Sequence, residues 1–356
     1  MLCAYLRHPK DAEFAELERR AAQWQAPLEA VDDFGALDLG VVSRFHKLCR
    51  ERKPVIWHGH DYKSNVLGIV ARRRHPMKLV TTVHGWGVKT WKSPLYHWID
   101  RVSLKWYDHV VCVSEDLHRR CLGLGIPSER CTHVPNAIDT EEFSRRETPT
   151  DAKRKLGLPP ERLLIGCVAR LSAEKRLDLL IQAVGELARR GHDVGLAIAG
   201  EGPERAPLEA LIRAEGLSDR VTLLGFCADT IALYQAMDIC ALASVREGLP
   251  NLLLEGMAMS VAVVATRIAG IPKLIDDGVH GLLIEPGSLP PLVAALQLLV
   301  TDGVLRDRLA KAGRTRIEAE YSFRKRMDRI KAIYDGVLAD DRGSAGDRSR
   351  SMPSGR

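Results

Sequence analysis

The sequence predicts an α/β chain built from two doubly wound, mostly parallel sheets. Short β-branched runs alternate with longer amphipathic stretches along almost the whole length. The runs are nearly continuously apolar, as strands covered on both faces are. They fall into two groups separated by DTEEFSRRETPTDAKRKLGLPPE (139–161), a polar, charged, proline-bearing stretch with the composition of an interdomain linker. At roughly 100–200 residues per domain, 356 residues fit two or three domains.

Taken in order, MLCAYLRHPKDAEFAELERRAAQW (1–24) reads as a strand and its helix. Strands follow at PVIWH (54–58), KLVTTVH (78–84), HVVCVS (109–114) and THVP (132–135). The second group comprises LLIGCVA (163–169), VGLAIAG (194–200), VTLLG (221–225), DICALAS (238–244), VAVVAT (261–266) and GLLIE (281–285). Helix-length segments such as Lys175–Arg190 and Pro203–Glu215 lie between them. After Tyr321 one more helix is expected to about Leu338, and ADDRGSAGDRSRSMPSGR (339–356) is too poor in apolar residues to fold. The expected domains are therefore 1–145 and 146–320, then a helix over 321–338 and a disordered tail over 339–356. Ligands of such folds bind beyond the carboxyl ends of the strands, in the cleft that two domains leave, so chemistry is expected in the turns that follow strands.

Composition narrows the function classes. Hydrophobic residues at 46% and charged residues at 28% exclude a disordered, collagenous or coiled-coil chain. The longest apolar stretch, Leu252–Ala265, falls short of the ~20 residues of a membrane span and contains Glu255. MLCAYLRHPK lacks the apolar centre of a signal peptide. None of the eight cysteines forms C-x-x-C, which argues against a zinc ribbon or redox dithiol; they read as reduced core residues of a cytoplasmic protein. Between Arg44 and Lys105, fourteen basic residues oppose three acids. Such a patch suits an anionic surface, acidic lipid above all, or is a solvated face that keeps the chain soluble. No aromatic stacking pattern accompanies it, so nucleic acid is not expected.

Four segments carry candidate chemistry. In SVREGLPNLLLEGMAMS (244–260) a strand leads through a loop to a helix that Pro250 opens. The free N–H groups of Asn251 and Leu252 offer an anion site. Glu247 beside them, with Gly248 and Leu249, suits sugar hydroxyls, and Glu255 suits a ribose; the plainer reading is one surface and one buried glutamate. In VARLSAEKRLDLLIQAV (168–184), Arg170 and Lys175 flank a strand–helix turn and form a diphosphate clamp, or are two surface cations. IAGEGPER (198–205) places Gly200 and Gly202 after a strand, which permits a tight turn and close backbone approach. Position 205 is Arg, so the dinucleotide pattern G-x-G-x-x-G is not met. In TTVHGWG (81–87), His84 ends a strand beside Gly85 and can bond a substrate hydroxyl; a strand-end histidine can equally be structural. His58 and His60 make an H-x-H pair, but only Asp61 could complete a metal set and no D-x-D occurs, so neither a metal nor another cofactor is expected.

Together these segments resemble the family-4 retaining glycosyltransferases. The resemblance runs from about Ile56 to Tyr334 through HGHDYKSNVLG (58–68), VHG (83–85), VPNAIDTEEF (134–143), ARLSAEKRLDLLI (169–181), AGEGPER (199–205), SVREGLPNLLLEGMAM (244–259) and GVHGLLIEPG (278–287). Its most specific mark is the E-x₇-E pair, Glu247 and Glu255. It implies the GT-B fold, two Rossmann-like domains facing a cleft, and a nucleoside diphosphate sugar bound mainly by the second domain. By analogy Glu247 contacts the sugar, Glu255 the ribose, and Arg170 and Lys175 the diphosphate, while His84 reaches the sugar from the first domain. The final helix (321–338) is implied to cross back to the first domain. The resemblance implies metal-independent, retaining transfer of a hexose to a glycan or lipid-linked acceptor. Rival readings are a glycoside hydrolase using the two glutamates, a binding protein without turnover, and a nucleotide-sugar epimerase. The chain departs from the family at Ala169, Arg176 and Ala137, where glycine is usual, and at its start, where the first strand–loop–helix unit is missing. A first domain without that unit is expected to expose a sheet edge.

Overall fold

The computed structural model describes residues 1–9, 11, 14–35, 38–85, 93–227 and 229–347. The chain divides into two units, Met1–Val134 with Ile330–Arg356, and Pro135–Arg329.

In the first unit, strands and helices alternate as β1 (Cys3–Arg7), α1 (Phe14–Gln23), β2 (Leu28–Asp32), α2 (Gly40–Arg52), β3 (Ile56–Gly59), α3 (Tyr62–Arg72), β4 (Lys78–Val83), α4 (Ser93–Ser103), β5 (His109–Cys112), α5 (Glu115–Gly123) and β6 (Cys131–His133). The strands do not make one sheet. β1 pairs only with β2, while β3, β4, β5 and β6 form a separate parallel sheet in that order. One edge of β1 and one edge of β3 therefore have no strand partner among the described residues. The four-stranded piece is the parallel sheet expected in the first half, and the β1–β2 pair stands apart from it. A single apolar cluster, with Leu2, Leu6, Val31, Phe45, Leu48, Trp57 and Leu67, serves both pieces. β2 escaped the sequence reading because LEAVD carries two acids and shows no apolar run. The helices start where side chains supply the missing backbone acceptors: Asp61 and Ser64 form a reciprocal capping box on α3, and Ser114 caps α5.

The second unit contains α6 (Pro149–Lys155), β7 (Leu163–Val168), α7 (Leu177–Arg189), β8 (Val194–Ala199), α8 (Arg205–Ala214), β9 (Val221–Gly225), α9 (Thr230–Ala236), β10 (Ile239–Leu242), α10 (Asn251–Ala258), β11 (Ala262–Thr266), α11 (Ile271–Leu274), β12 (Leu282–Ile284), α12 (Leu289–Thr301) and α13 (Gly303–Arg316). Its six parallel strands run β12-β11-β10-β7-β8-β9, the doubly wound order with its switch point between β7 and β10. β8, β10 and β11 are buried along their whole length, which is why they contain only apolar and small residues.

The boundary falls at Val134/Pro135, about ten residues before the expected one. The polar stretch read as a linker is tied to the second unit. The Arg145 guanidinium donates to the carbonyls of Met237 (2.9 Å), Met259 (3.0 Å) and Gln235 (3.1 Å). Nearly buried Lys153 pairs with Asp238 at 2.6 Å. Thr148 caps α6 and Pro149 opens it, so this segment carries a helix of its own. The last helix, α14 (Phe323–Asp347), begins in the second unit and belongs to the first from Ile330 onward. Its residues Ile330 and Val337 are buried with Val80, Val111 and Val134. It runs nine residues beyond the expected end at 338, which corrects the reading of 339–347 as disordered. The sequence marks where the apolar stripe stops, while the backbone spiral continues through Ala339–Asp347, which contains no proline. Residues 348–356 of the expected tail lie outside the described residues.

Candidate functional site

In the second unit the turns after β7, β8 and β10 are joined through their backbones. Beyond β7, Ala169 N–H donates to Ala199 O and Leu171 N–H to Glu201 O, both at 2.9 Å, and Glu204 N–H returns to Leu171 O at 3.0 Å. This close approach needs the two glycines. A Cβ on Gly200 (φ +141°) would lie 2.0 Å from Ala169 O, and one on Gly202 would lie 2.2 Å from Leu171 O. The glycines thus build the base on which Arg170 stands. Arg170 is exposed, and its side chain makes no hydrogen bond or ion pair among the described residues.

Lys175 closes the short 3₁₀ turn Ala173–Lys175. Its Nζ donates to Glu247 Oε1 at 2.6 Å, and the Glu247 side chain is only 8% exposed. Val245 N–H donates to Glu174 O at 2.9 Å, so the two loops that carry this pair are fixed to each other. The sequence expectation placed both residues in one site, and here they touch. The next residue, Arg176, stands where the resembled family has glycine, and its φ of +48° shows why. Arg176 tolerates that left-handed backbone while forking onto Asp178, with contacts of 2.9 and 3.0 Å.

Pro250 takes the N-cap position of α10, and Asn251 and Leu252 occupy its first turn, with Asn251 exposed. Gly248 O accepts from Gly270 N–H at 3.3 Å, and Leu249 packs on the core, so the loop between Glu247 and the helix is anchored at both residues. Glu255 holds a different partner from Glu247: its Oε2 accepts from the Tyr234 hydroxyl at 2.7 Å. Burial pushes the Glu255 carboxyl above the ordinary glutamate value, and the Tyr234 bond only partly offsets it. Among the described residues, one buried hydroxyl in the same loops, Ser244 Oγ, has no hydrogen-bond partner, while the Ser172 hydroxyl lies against the Glu174 carboxylate. Sequence reasoning missed Tyr234, Ser244 and Arg145. Tyr234 lies in an apolar helix, Ser244 at a strand end, and Arg145 in a stretch read as linker, so none stood out by type or spacing.

His84 lies in the first unit, just past β4. His60 Nδ1 and His84 Nε2 are 3.2 Å apart and their rings stack. His58 stacks on His60 in turn, with its Nε2 2.8 Å from Thr82 Oγ1 and its Nδ1 2.5 Å from the Tyr334 hydroxyl on α14. These histidines form a stack with separate hydrogen-bond partners rather than a ring of ligands around one point. Trp86 and Gly87 of the same motif lie outside the described residues.

Two family models match the chain: "Glycosyltransferase Family 4" over residues 5–142 and "Glycosyl transferases group 1" over 149–316. Alpha-D-kanosaminyltransferase of Streptomyces kanamyceticus is 33% identical over 252 residues, which span 68% of this chain and 64% of that protein, a little under two thirds of its length. UDP-Gal:alpha-D-GlcNAc-diphosphoundecaprenol alpha-1,3-galactosyltransferase of Escherichia coli is 26% identical over 313 residues, spanning 85% of this chain and 81% of that one. Among solved structures, Anabaena HepE in complex with UDP superimposes with a TM-score of 0.79 at 20% identity, covering 94% of this chain and all of that one. That likeness is one of fold, GT-B.

Proposed function

The chain belongs to the group 1, family-4-type glycosyltransferases of glycan and glycolipid biosynthesis, and from that premise we propose that it transfers a hexose from a nucleoside diphosphate sugar to a glycan or lipid-linked acceptor, with retention and without a metal. The observation that carries this reading is the Lys175–Glu247 contact on two loops joined by Val245 and Glu174. A cation and a carboxylate at 2.6 Å match a ligand that offers phosphate oxygens beside sugar hydroxyls. Arg170, Lys175 and the N–H groups of Asn251 and Leu252 take the diphosphate, while Glu247, with Gly248 and Leu249 beside it, takes the sugar. Glu255 keeps Oε1 for a ribose hydroxyl while Tyr234 occupies Oε2. The unpartnered hydroxyl of Ser244 lies in the same loops, where buried polar groups without partners are costly unless a ligand or water engages them.

Bond breaking at the anomeric carbon moves negative charge onto the diphosphate and positive charge onto the sugar ring. Arg170 and Lys175 stabilise the first, at about 1.5–3 kcal/mol for each charge-assisted bond. Glu247 faces the second. The departing phosphate oxygen accepts the acceptor proton on the same face. A uridine nucleotide is the first donor to test, because the E. coli relative is named for UDP-Gal and the Anabaena structure contains UDP.

The test is a thermal-shift panel of nucleoside diphosphates and their sugars, followed by transfer assays with and without chelator. Glu247→Gln is expected to retain nucleotide binding and lose transfer by about 10²–10³-fold. Wild-type transfer by both Glu247→Gln and Arg170→Ala would overturn the assignment. Donor isomerised without acceptor would make the chain an epimerase, nucleotide binding without turnover a binding protein, and cleavage of a plain glycoside a hydrolase.

The acceptor side includes a cytoplasmic, anionic membrane surface. The outward face of α4 presents Leu95 and Trp98 (58% and 62% exposed) and Val102, with Trp106 just beyond at 60%. Arg101 and Lys105 flank this stripe, and a cavity of about 430 Å³ beside it is lined by Ile69, Arg72, Arg73 and Trp106. Aromatic and cationic side chains sharing one helix face suit the headgroup boundary. Arg44, Lys47, Arg52, Lys63 and Arg72 of the basic region pair with acids, so its free charge is smaller than the sequence count. Lys89 and Lys92 lie outside the described residues. No single helix is long and apolar enough to cross a membrane among the described residues. Co-sedimentation with acidic vesicles should weaken as salt rises and fall in a Trp98→Ala, Trp106→Ala variant, whereas equal binding to neutral vesicles would overturn this surface.

A further inference from the structure

Three cysteines far from the donor loops converge in the first unit. Cys112 ends β5, Cys131 begins β6 and Cys121 lies on α5. Cys131 is paired in register with Val110, so it points to the same face of the sheet as Cys112, two residues further along β5. α5 covers that face with Leu117 and, one turn on, Cys121. The Cys112 and Cys121 sulfurs are 3.6 Å apart and those of Cys112 and Cys131 3.8 Å. All three lie within 4.8 Å of one another, the only such group of potential metal ligands among the described residues. Cys112 and Cys121 are fully buried and Cys131 nearly so, in a cluster with Val110, Val113, Leu117 and Ile126.

A centre bonded to three sulfurs at about 2.3 Å holds them roughly 3.5–4 Å apart, depending on whether it is pyramidal or planar. Both contacts of Cys112 fall inside that range before any centre is bound, and the Cys121 and Cys131 sulfurs lie within 4.8 Å of each other. The nearest imidazoles are engaged: His118 Nε2 is 3.0 Å from Cys131 O, and His109 Nε2 is 2.9 Å from Thr132 Oγ1. Among the described residues no fourth histidine, cysteine or carboxylate joins the group, so it offers three soft ligands, which disfavours zinc's four-coordinate structural sites. Charge narrows the choice. Three thiolates around a monovalent or divalent cation leave net negative charge in an apolar core, which costs several kcal/mol even after relaxation.

We propose that Cys112, Cys121 and Cys131 form a buried tris-thiol site for trivalent arsenic, or a metalloid of the same valence and softness. Arsenous acid reacts without change in charge. Three S–H and three As–O bonds break, three As–S bonds form, and each thiol proton leaves with a hydroxide as one of three waters. Both the acid and the bound centre are neutral, so the core accepts the product. Binding ties β5, α5 and β6 together, and access requires α5 to lift.

The experiment uses the full chain, reduced, in a Cys3→Ser, Cys227→Ser background that removes the exposed and half-exposed thiols. Incubation with arsenite should give one arsenic per chain by intact mass and a higher melting temperature. X-ray absorption at the arsenic edge should show three sulfur neighbours at a single distance. Cys121→Ala should abolish uptake of the triply bonded species. Arsenic bound by two sulfurs and one oxygen, stoichiometric uptake unchanged in Cys121→Ala, or no uptake after prolonged warming would each overturn the site. The absorption measurement needs only the background protein, so it decides the matter even where Cys121→Ala fails to fold. Tighter binding of zinc that disappears in His118→Ala would equally overturn it, because the cage would then be four-coordinate.

Discussion

The two units are built from the same alternation of strand and helix, yet they use it differently. The second unit closes six strands into one sheet whose middle strands are buried on both faces. The first divides six strands between two sheets, and β1, with Cys3 and Ala4 exposed, is only partly covered. The loops that hold Arg170, Lys175 and Glu247 grow from the continuous sheet. The comparison teaches that charge positioned to a few tenths of an ångström rests on strands that cannot shift, while the interrupted sheet carries the basic and aromatic surface, where tolerance is larger.

That contrast can be tested by matched substitutions, read by denaturant unfolding. Ile198→Ala in β8 should cost about 2–5 kcal/mol, and Leu6→Ala in half-covered β1 less than half as much. Equal costs would mean that β1 is as well packed as β8. The glycines give a second pair. Gly200→Ala should cost about 2–3 kcal/mol, because its Cβ would collide with the Ala169 carbonyl at a positive φ. Gly85→Ala, at φ +132° with no described atom within 4 Å of its Cβ, should cost only the backbone strain, about 1 kcal/mol. A more modest effect is expected in amide exchange at native conditions: β1 and β2 should exchange well before β8 and β10.

The smallest effect concerns Glu255. Its carboxyl titrates above the ordinary value of 4.5, chiefly through burial. The folded state therefore prefers the protonated form. The stability this group contributes is fully present below 4.5 and is lost as pH rises through its folded value. Glu255→Gln, which keeps an oxygen for Tyr234, should raise the melting temperature at neutral pH and lose that advantage below 4.5. A variant less stable at neutral pH would show that the charged form is the one the fold favours.

Much of this architecture was legible in the sequence. All ten apolar runs became strands, because a strand buried on both faces leaves a continuous signature. β2 and α6 were not, because LEAVD mixes acids with apolar residues and α6 lies in a charged stretch whose helix is set by Thr148 and Pro149 rather than by periodicity. The E-x₇-E spacing put Glu247 and Glu255 on one loop–helix unit, and the loop after β7 brought Lys175 to Glu247. That Tyr234 would take Glu255, or that Arg145 would dock on the second unit, depends on contacts between residues some twenty to a hundred positions apart, which local pattern does not encode. The cysteine cluster was hidden for the same reason: its members come from strand, helix and strand rather than from a short repeat.

The interrupted sheet has one more consequence, for how the molecule comes apart. On gentle heating, or under a protease pulse, residues up to about Val134 should give way while Pro135–Arg329 persists. Such a species would still grip a nucleotide through Arg170 and Lys175 and yet complete no transfer. An inactive preparation that keeps its full ligand-induced melting shift would be the fingerprint of that half-open population.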